Sequence, residues 1–378
     1  MRVAIVAECF LPEVNGVTNT VLRISERLSK NGHDVMIVAP GPGPEWAAGA
    51  TVVRVPSMTL PVYRSLQVGR PTSHVVHTLE AFAPDVIHLA APAVLGMAGL
   101  QAAEALGVPS VAVFQTDLVG FARRYHLSPL APPLWSWLRR LHNRATVTLA
   151  PSTSTAWELR AHGVERVELW ARGVDTERFT PAHRDRMLRR RLSPDRRPIV
   201  GYIGRLAREK QVGMMAAVDA MPGVRPVVVG DGPLRSRLER ALSNTEFLGF
   251  LHGDELARAA ASLDVFVHTG ANETFCQALQ EAMAAGVPVV APAAGGPLDL
   301  VRHGATGFLY PPGDEGHLAE AVRTLVGDKP LRRRLGAAAR ESVLHRTWPA
   351  VVDDLISRYR TLTGAASPGS GPERVQAA

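Results

Sequence analysis

One alternation runs through this chain twice, and it constrains the fold more than any other feature. Short β-branched or apolar runs at residues 3–7, 34–39, 52–55, 86–89, 110–114 and 147–151 are separated by stretches with helical apolar spacing, the first near 18–31. Strands that alternate with helices build a parallel sheet covered on both faces, because each crossover lays a helix across the sheet. The rhythm stops at 175–198, a stretch rich in Arg, Asp and Pro, and restarts through runs at 199–203, 227–229, 246–248, 265–268, 287–291 and 307–310. The fold class is therefore α/β, with two Rossmann-like domains facing each other across a cleft. Residues 1–174 form the first domain, 175–198 a linker and 199–347 the second, followed by a helix at 348–363 and a small polar tail at 364–378. In open sheets of this kind ligands bind beyond the carboxyl ends of the strands, so chemistry belongs in the loops that follow them.

Composition narrows the functional classes. A chain of 378 residues, 46% of them hydrophobic, buries the cores of two domains, and its apolar runs fall well short of the roughly 20 residues of a spanning helix. The first run is too brief for a signal peptide and lacks a cleavage site, which places the protein in the cytoplasm. Two distant cysteines, Cys9 and Cys276, offer neither a disulfide framework nor metal-ligand spacing. The net charge of +7 favours anionic partners, but aromatics are only 6% of residues and no nucleic-acid motif occurs. Lys30, Lys210 and Lys329 are the only lysines among 42 basic residues, so a lysine in a loop after a strand carries more information here than usual.

Several segments carry side chains suited to a phosphorylated sugar ligand. Gly16 opens the first helix, where a phosphate can approach the amide groups or where a plain turn needs a small residue. The three-glycine dinucleotide fingerprint is missing there, and it is missing again at Gly230 and Gly232, which disfavours a nicotinamide enzyme. In GRLAREK, Arg205 and Lys210 stand at the mouth of the second domain's first strand, able to neutralise a diphosphate or simply to solvate a loop. In TGANETFCQALQEAMAAGVPVVA, Glu273 and Glu281 are eight residues apart, about 12 Å on a helix beginning near Phe275. That separation suits two hydroxyl-bearing rings, with the amides of Phe275, Cys276 and Gln277 aimed at phosphates between them; two surface glutamates are the plain alternative. FQTDLVGFARRYH places Gln115, Asp117, Tyr125 and His126 at the cleft, where Asp117 serves either an acceptor hydroxyl or a helix cap. The segment around Trp135, Trp137, Arg139, Arg140 and Arg144 reads either as a basic amphipathic helix for an anionic membrane or as core packing.

These segments together resemble the family-4 retaining glycosyltransferases of GT-B architecture over nearly the whole chain. The marks are PEVNGV, RGVDTERFTP, GRLAREK, VGDGPL, FLGFL, and ETFCQALQEAMAAGVPVVA followed by Gly295 and Gly296. Within the family the similarity is greatest to actinobacterial GDP-mannose-dependent mannosyltransferases of envelope glycolipid synthesis. The resemblance implies a terminal helix that crosses back to the first domain. It also implies that Arg205 and Lys210 hold the diphosphate, Glu281 the ribose, Glu273 with the amides of 275–277 the transferred sugar, and Gly16 a phosphate from the opposite domain. The backbone of Gly249, Phe250 and Leu251 would meet the base. No metal or other cofactor is implied; the partners are a nucleotide sugar, with GDP-mannose favoured, a lipid-linked acceptor and the inner face of the plasma membrane. Many relatives carry His where this chain has Gln115, and Cys276 replaces a usual Gly. A UDP-glucose-dependent enzyme with a soluble acceptor, or a non-catalytic nucleotide-sugar binder, are the alternative readings.

Overall fold

The computed structural model describes residues 1–60, 63–70, 73–124 and 127–364. The first half forms β1 (Arg2–Ala7), β2 (Asp34–Pro40), β3 (Trp46–Ala47), β4 (Ala50–Val55), β5 (Ser57–Leu60), β6 (Tyr63–Gly69), β7 (Val86–Ala90), β8 (Ser110–Val113), β9 (Val147–Ala150) and β10 (Val167–Leu169). Eight of these make one sheet in the order β10-β9-β8-β7-β1-β2-β4-β3, parallel except at the β3 edge, while β5 and β6 pair as a separate hairpin. The second half supplies β11 (Ile199–Ile203), β12 (Arg225–Val229), β13 (Glu246–Gly249), β14 (Val265–Val267), β15 (Val289–Pro292) and β16 (Gly307–Tyr310), all parallel in the order β13-β12-β11-β14-β15-β16. The strands β3, β5, β6 and β10 lack the long apolar runs of the others, so the alternation in the sequence does not mark them.

Strand β1 shows why the runs are continuously apolar. Val3, Ile5 and Ala7 pack with Val17, Val21, Ile24 and Leu28 of the helix Gly16–Lys30 in one layer. Ala4 and Val6 pack with Leu95, Ala98, Leu100 and Ala102 of the helix Val94–Leu106 in the other. A period of two thus serves two cores at once.

Strand order reverses between β1 and β7 in the first sheet and between β11 and β14 in the second, so each sheet opens a crevice at its switch point. The segment 175–198 is more ordered than its composition suggests. Phe179 and Leu192 are buried with Val174 in the second domain's core, and Arg184 and Arg189 both pair with Asp264. These pairs fasten the segment to that domain, while Asp175 at its start pairs with Arg23 of the first domain.

The helix Trp348–Thr363 returns to the first sheet, inserting Val352, Leu355, Ile356 and Tyr359 beside Val3 and Ile5. The Tyr359 hydroxyl pairs with His88 Nδ1 at 2.7 Å inside that core. Burial pushes the His88 imidazole down to about 3, so the ring is neutral and shares a hydrogen bond with an un-ionised phenol. Among the described residues no helix is long and apolar enough to cross a membrane.

Candidate active site

The second switch point gathers most of the charged groups. Beyond β11 the chain makes the turn Arg208–Lys210, and beyond β14 it continues through His268 into the loop carrying Glu273. Lys210 Nζ donates to Glu273 Oε1 at 2.5 Å, and His268 Nε2 lies 3.2 Å from the same oxygen. The Thr269 hydroxyl donates to the Lys210 carbonyl at 2.6 Å, which fixes one loop on the other. Burial pushes the Glu273 carboxyl up, but the Lys210 ammonium and the His268 ring outweigh it and hold the group well below the usual carboxylate range. Glu273 therefore stays ionised, with one oxygen committed to cations. His268 is 3% exposed and its ring lies nearly parallel to that of Tyr202 at 6.3 Å.

His268, Glu273 and Cys276 bring potential ligand atoms within 4.8 Å of one another. The Lys210 ammonium shares that carboxylate, so the charge of the trio is balanced from within. Arg205 is exposed on the same loop, and its carbonyl accepts from the Tyr202 hydroxyl at 3.3 Å.

Two glycine pairs bring these loops to their places. A Cβ on Gly230 would lie 1.9 Å from the Gly204 carbonyl oxygen, and Leu206 N donates to Asp231 O at 2.9 Å. The VGDGPL turn thus buttresses the GRLAREK loop through backbone contact that any side chain would block. Similarly, a Cβ on Gly296 would stand 2.1 Å from the Phe275 carbonyl oxygen, while Gly296 N donates to Glu273 O at 2.8 Å.

The helix of the acidic segment begins later than its sequence suggests. It spans Gln277–Ala284, with Cys276 as N-cap at φ 78°, so Glu273 lies in the loop before it and the 12 Å helical spacing to Glu281 does not apply. A Gly at position 276 would suit that left-handed backbone without strain. The Phe275 side chain is buried in the second domain's core, leaving only its backbone at the cleft. Gln277 Nε2 donates to Gly173 O at 3.0 Å and Gln280 Nε2 to Arg172 O at 3.2 Å, fastening the helix to the chain where it leaves the first domain. Glu281 lies in the field of Asp175, Arg178 and Arg23, and burial pushes its carboxyl up to about 7. At the end of β13, Gly249 takes φ 73°, the Phe250 ring is 62% exposed and Leu251 packs on the core.

Across the cleft, Asn15 caps the helix Gly16–Lys30 through the amides of Val17 and Thr18. A Cβ on Gly16 would meet Arg172 Nη1 at 2.8 Å. Arg172 is 8% exposed and its Nη2 donates to Gln115 Oε1 at 2.8 Å. In the sequence Arg172 is one residue of the RGVDTERFTP motif without a role of its own, and His268 is only the end of a strand. For His268 the available signal is a polar residue at the close of a buried apolar run; Arg172 follows the short, mostly exposed β10, which offers no such signal. Asp117 Oδ1 accepts from Gly120 N at 2.6 Å, which is the helix-cap alternative. Tyr125 and His126 lie outside the described residues. The helix Leu118–Arg124 lies against the Arg208–Lys210 turn, so this segment of the first domain adjoins Lys210. In the helix Ala131–Arg144, Trp135 is buried and stacked on His162 at 3.8 Å, and Arg144 pairs with Glu104; core packing, not a membrane, accounts for that tryptophan.

Residues 14–178 match the family described as Glycosyltransferase Family 4, and residues 183–342 that described as Glycosyl transferases group 1. The chain is 52% identical over 374 residues to a GDP-mannose-dependent alpha-mannosyltransferase of Mycolicibacterium smegmatis, covering 97% of this chain and 99% of the relative. To a protein of the same description from Mycobacterium tuberculosis it is 50% identical over 371 residues, 96% and 97% of the two chains. Among solved structures, sucrose-phosphate synthase from Thermosynechococcus elongatus superposes with a TM-score of 0.78 at 22% identity, over 97% of this chain and all of the other. Anabaena Alr3699/HepE in complex with UDP gives 0.77 at 20% identity over 96% and 100%. These two likenesses concern the fold.

Proposed function

Because this chain belongs to the glycosyltransferases that pair a Family 4 first half with a group 1 second half on the GT-B fold, we propose that it transfers mannose from GDP-mannose to a lipid acceptor of the cell envelope, with retention of configuration. The observation that carries this reading is the identity of about one half, over nearly their whole length, to two GDP-mannose-dependent alpha-mannosyltransferases.

The site residues fit the chemistry. Arg205 and Lys210 neutralise the diphosphate as the anomeric C–O bond breaks, Lys210 exchanging its Glu273 contact for a phosphate oxygen. Glu273, kept anionic, accepts hydrogen bonds from the mannose hydroxyls with help from the 275–277 backbone. Glu281 holds the ribose, the Gly249–Phe250–Leu251 turn meets the base, and Gly16 admits a phosphate from the first domain. The acceptor oxygen joins the anomeric carbon on the face the phosphate leaves, and its proton passes to the departing phosphate oxygen. Cationic side chains do the work of a metal, so none is required. Gln115 and Asp117 border the acceptor side, and the protein works peripherally at the inner face of the membrane.

A thermal-shift panel of GDP, UDP and ADP tests the donor, since a bound ligand stabilises as the logarithm of its concentration over Kd. GDP is expected to stabilise most; a larger shift with UDP would replace the donor. Lys210→Ala is expected to lower mannose transfer by about 100-fold or more while the protein still melts cooperatively. Near-normal turnover in that variant would remove Lys210 from the mechanism.

A further inference from the structure

A buried imidazole ordinarily has its ring nitrogens paired, because an unmade hydrogen bond in a dry place costs the desolvation of the group. His268 departs from that. It is buried, and among the described residues neither Nδ1 nor Nε2 completes a hydrogen bond. The residue is nonetheless held firmly. Tyr202 lies nearly parallel to the ring, and the Tyr310 hydroxyl donates to the His268 carbonyl at 2.9 Å. Nε2 stands 3.2 Å from Glu273 Oε1 without the alignment of a bond, and that oxygen is taken by Lys210 at 2.5 Å. A ring nitrogen of His268, a Glu273 oxygen and the Cys276 sulfur lie within 4.8 Å of one another. The sulfur is there in spite of a backbone at φ 78°, a conformation that disfavours any residue with a Cβ.

We propose that His268 is a positioning residue for Glu273: it takes over the carboxylate when Lys210 turns to the donor's diphosphate, and Cys276 holds the imidazole in place for that exchange. The inference rests on the transferase reading for the donor and for the movement of Lys210. Without a second cation, the buried carboxylate would lose its charge partner at the moment it has to bind sugar hydroxyls. Burial pulls the His268 imidazole down, but the Cys276 sulfur and the Glu273 carboxylate outweigh it and push the ring up to about 10. The replacement cation is thus already in place. Released from Lys210, Glu273 turns one oxygen onto Nε2–H and keeps the other for the mannose, so donor binding completes the bond that His268 otherwise lacks.

Isothermal titration of the full chain with GDP and with GDP-mannose tests this, since only the second ligand carries a sugar for Glu273. His268→Phe keeps a ring against Tyr202 but removes the donor and the charge. It is expected to weaken GDP-mannose about 10- to 100-fold and GDP by less than about twofold. His268→Gln, which returns an N–H near the place of Nε2, is expected to recover part of that loss. Cys276→Gly relieves the left-handed backbone, so it is expected to melt within about 3 °C of the wild type. It is still expected to weaken GDP-mannose about 3- to 10-fold, and Cys276→Ser to restore it. Equal loss of both ligands in the His268 and Cys276 variants would make these residues mere supports of the loop and overturns the proposal, as does wild-type affinity for GDP-mannose in His268→Phe and Cys276→Gly. If His268→Phe fails to fold, the two Cys276 variants decide. Wild-type protein that binds no sugar nucleotide is a different result: it refutes the transferase reading, and this inference with it.

Discussion

At the scale of single residues, the two glutamates of the acidic segment are set to opposite protonation behaviour by their surroundings. Glu273 sits against Lys210 and His268 and is ionised throughout the working range, whereas Glu281 is raised to about 7 by burial. For Glu281 the folded value lies above the unfolded one. The group therefore costs stability as pH rises from the ordinary carboxylate range through neutrality, because the unfolded chain ionises first. A carboxylate accepts a hydroxyl hydrogen bond more strongly when charged. Affinity for GDP-mannose, whose diphosphate diester does not titrate near neutrality, is thus expected to rise about tenfold as pH passes upward through about 7. Glu281→Gln is expected to flatten that dependence, and titrations across the range on both proteins check it. An equally steep rise in the variant would assign the titration elsewhere.

At the scale of elements, the loops at the site are placed by backbone contact as much as by side chains. Gly296 has an ordinary helical φ of −57°, so its requirement is space: the Phe275 carbonyl lies where a methyl would go. Gly296→Ala is expected to cost about 1–3 kcal/mol, seen as a lower Tm, and to weaken GDP binding by displacing Glu273. Gly213→Ala, with nothing within 4 Å of the new Cβ, is the control and is expected to be neutral or slightly stabilising. Equal behaviour of the two would mean that close approach at Gly296 is not limiting. The same contrast explains what the sequence made legible. The long strands and the helix Gly16–Lys30 were readable because burial on both faces demands continuous apolar runs. The two glycine pairs were visible as motifs, but their buttressing depends on neighbours far along the chain. The late start at Gln277 was hidden because the backbone turns left-handed at a Cys, a residue with no preference for that conformation. His268 escapes for a related reason, since a polar residue closing an apolar run means little until the strand order shows what faces it, and Arg172 follows a strand with no apolar run to mark it.

At the scale of the whole molecule, the two domains are joined twice, and both crossings occur at one place. Val174 N donates to Arg346 O at 2.8 Å and Val174 bridges Thr347, so the outgoing and returning chains run side by side as a single hinge. Away from the hinge the cleft is fastened by few groups. Asp299 of the second domain accepts from Thr153 N at 2.5 Å and from its hydroxyl, at the start of the helix Thr153–Ala161, and the Thr155 hydroxyl donates to Thr274 O at 3.3 Å. Asp299 thus sits where an anion complements a helix N-terminus, but from across the cleft. A few hydrogen bonds of this kind are worth about 1–3 kcal/mol, enough to decide which of two arrangements is populated and too little to make the choice irreversible. Asp299→Ala is therefore expected to widen the unliganded molecule, giving a larger radius of gyration by solution scattering. Saturating GDP-mannose is expected to restore the smaller radius, with the apparent Kd raised about 5- to 30-fold by the fraction of molecules that must close. The wild type is expected to compact less on adding donor than the variant does. If both proteins scatter identically without donor, the Asp299 contact is a consequence of closure held elsewhere, and the hinge itself must supply the preference.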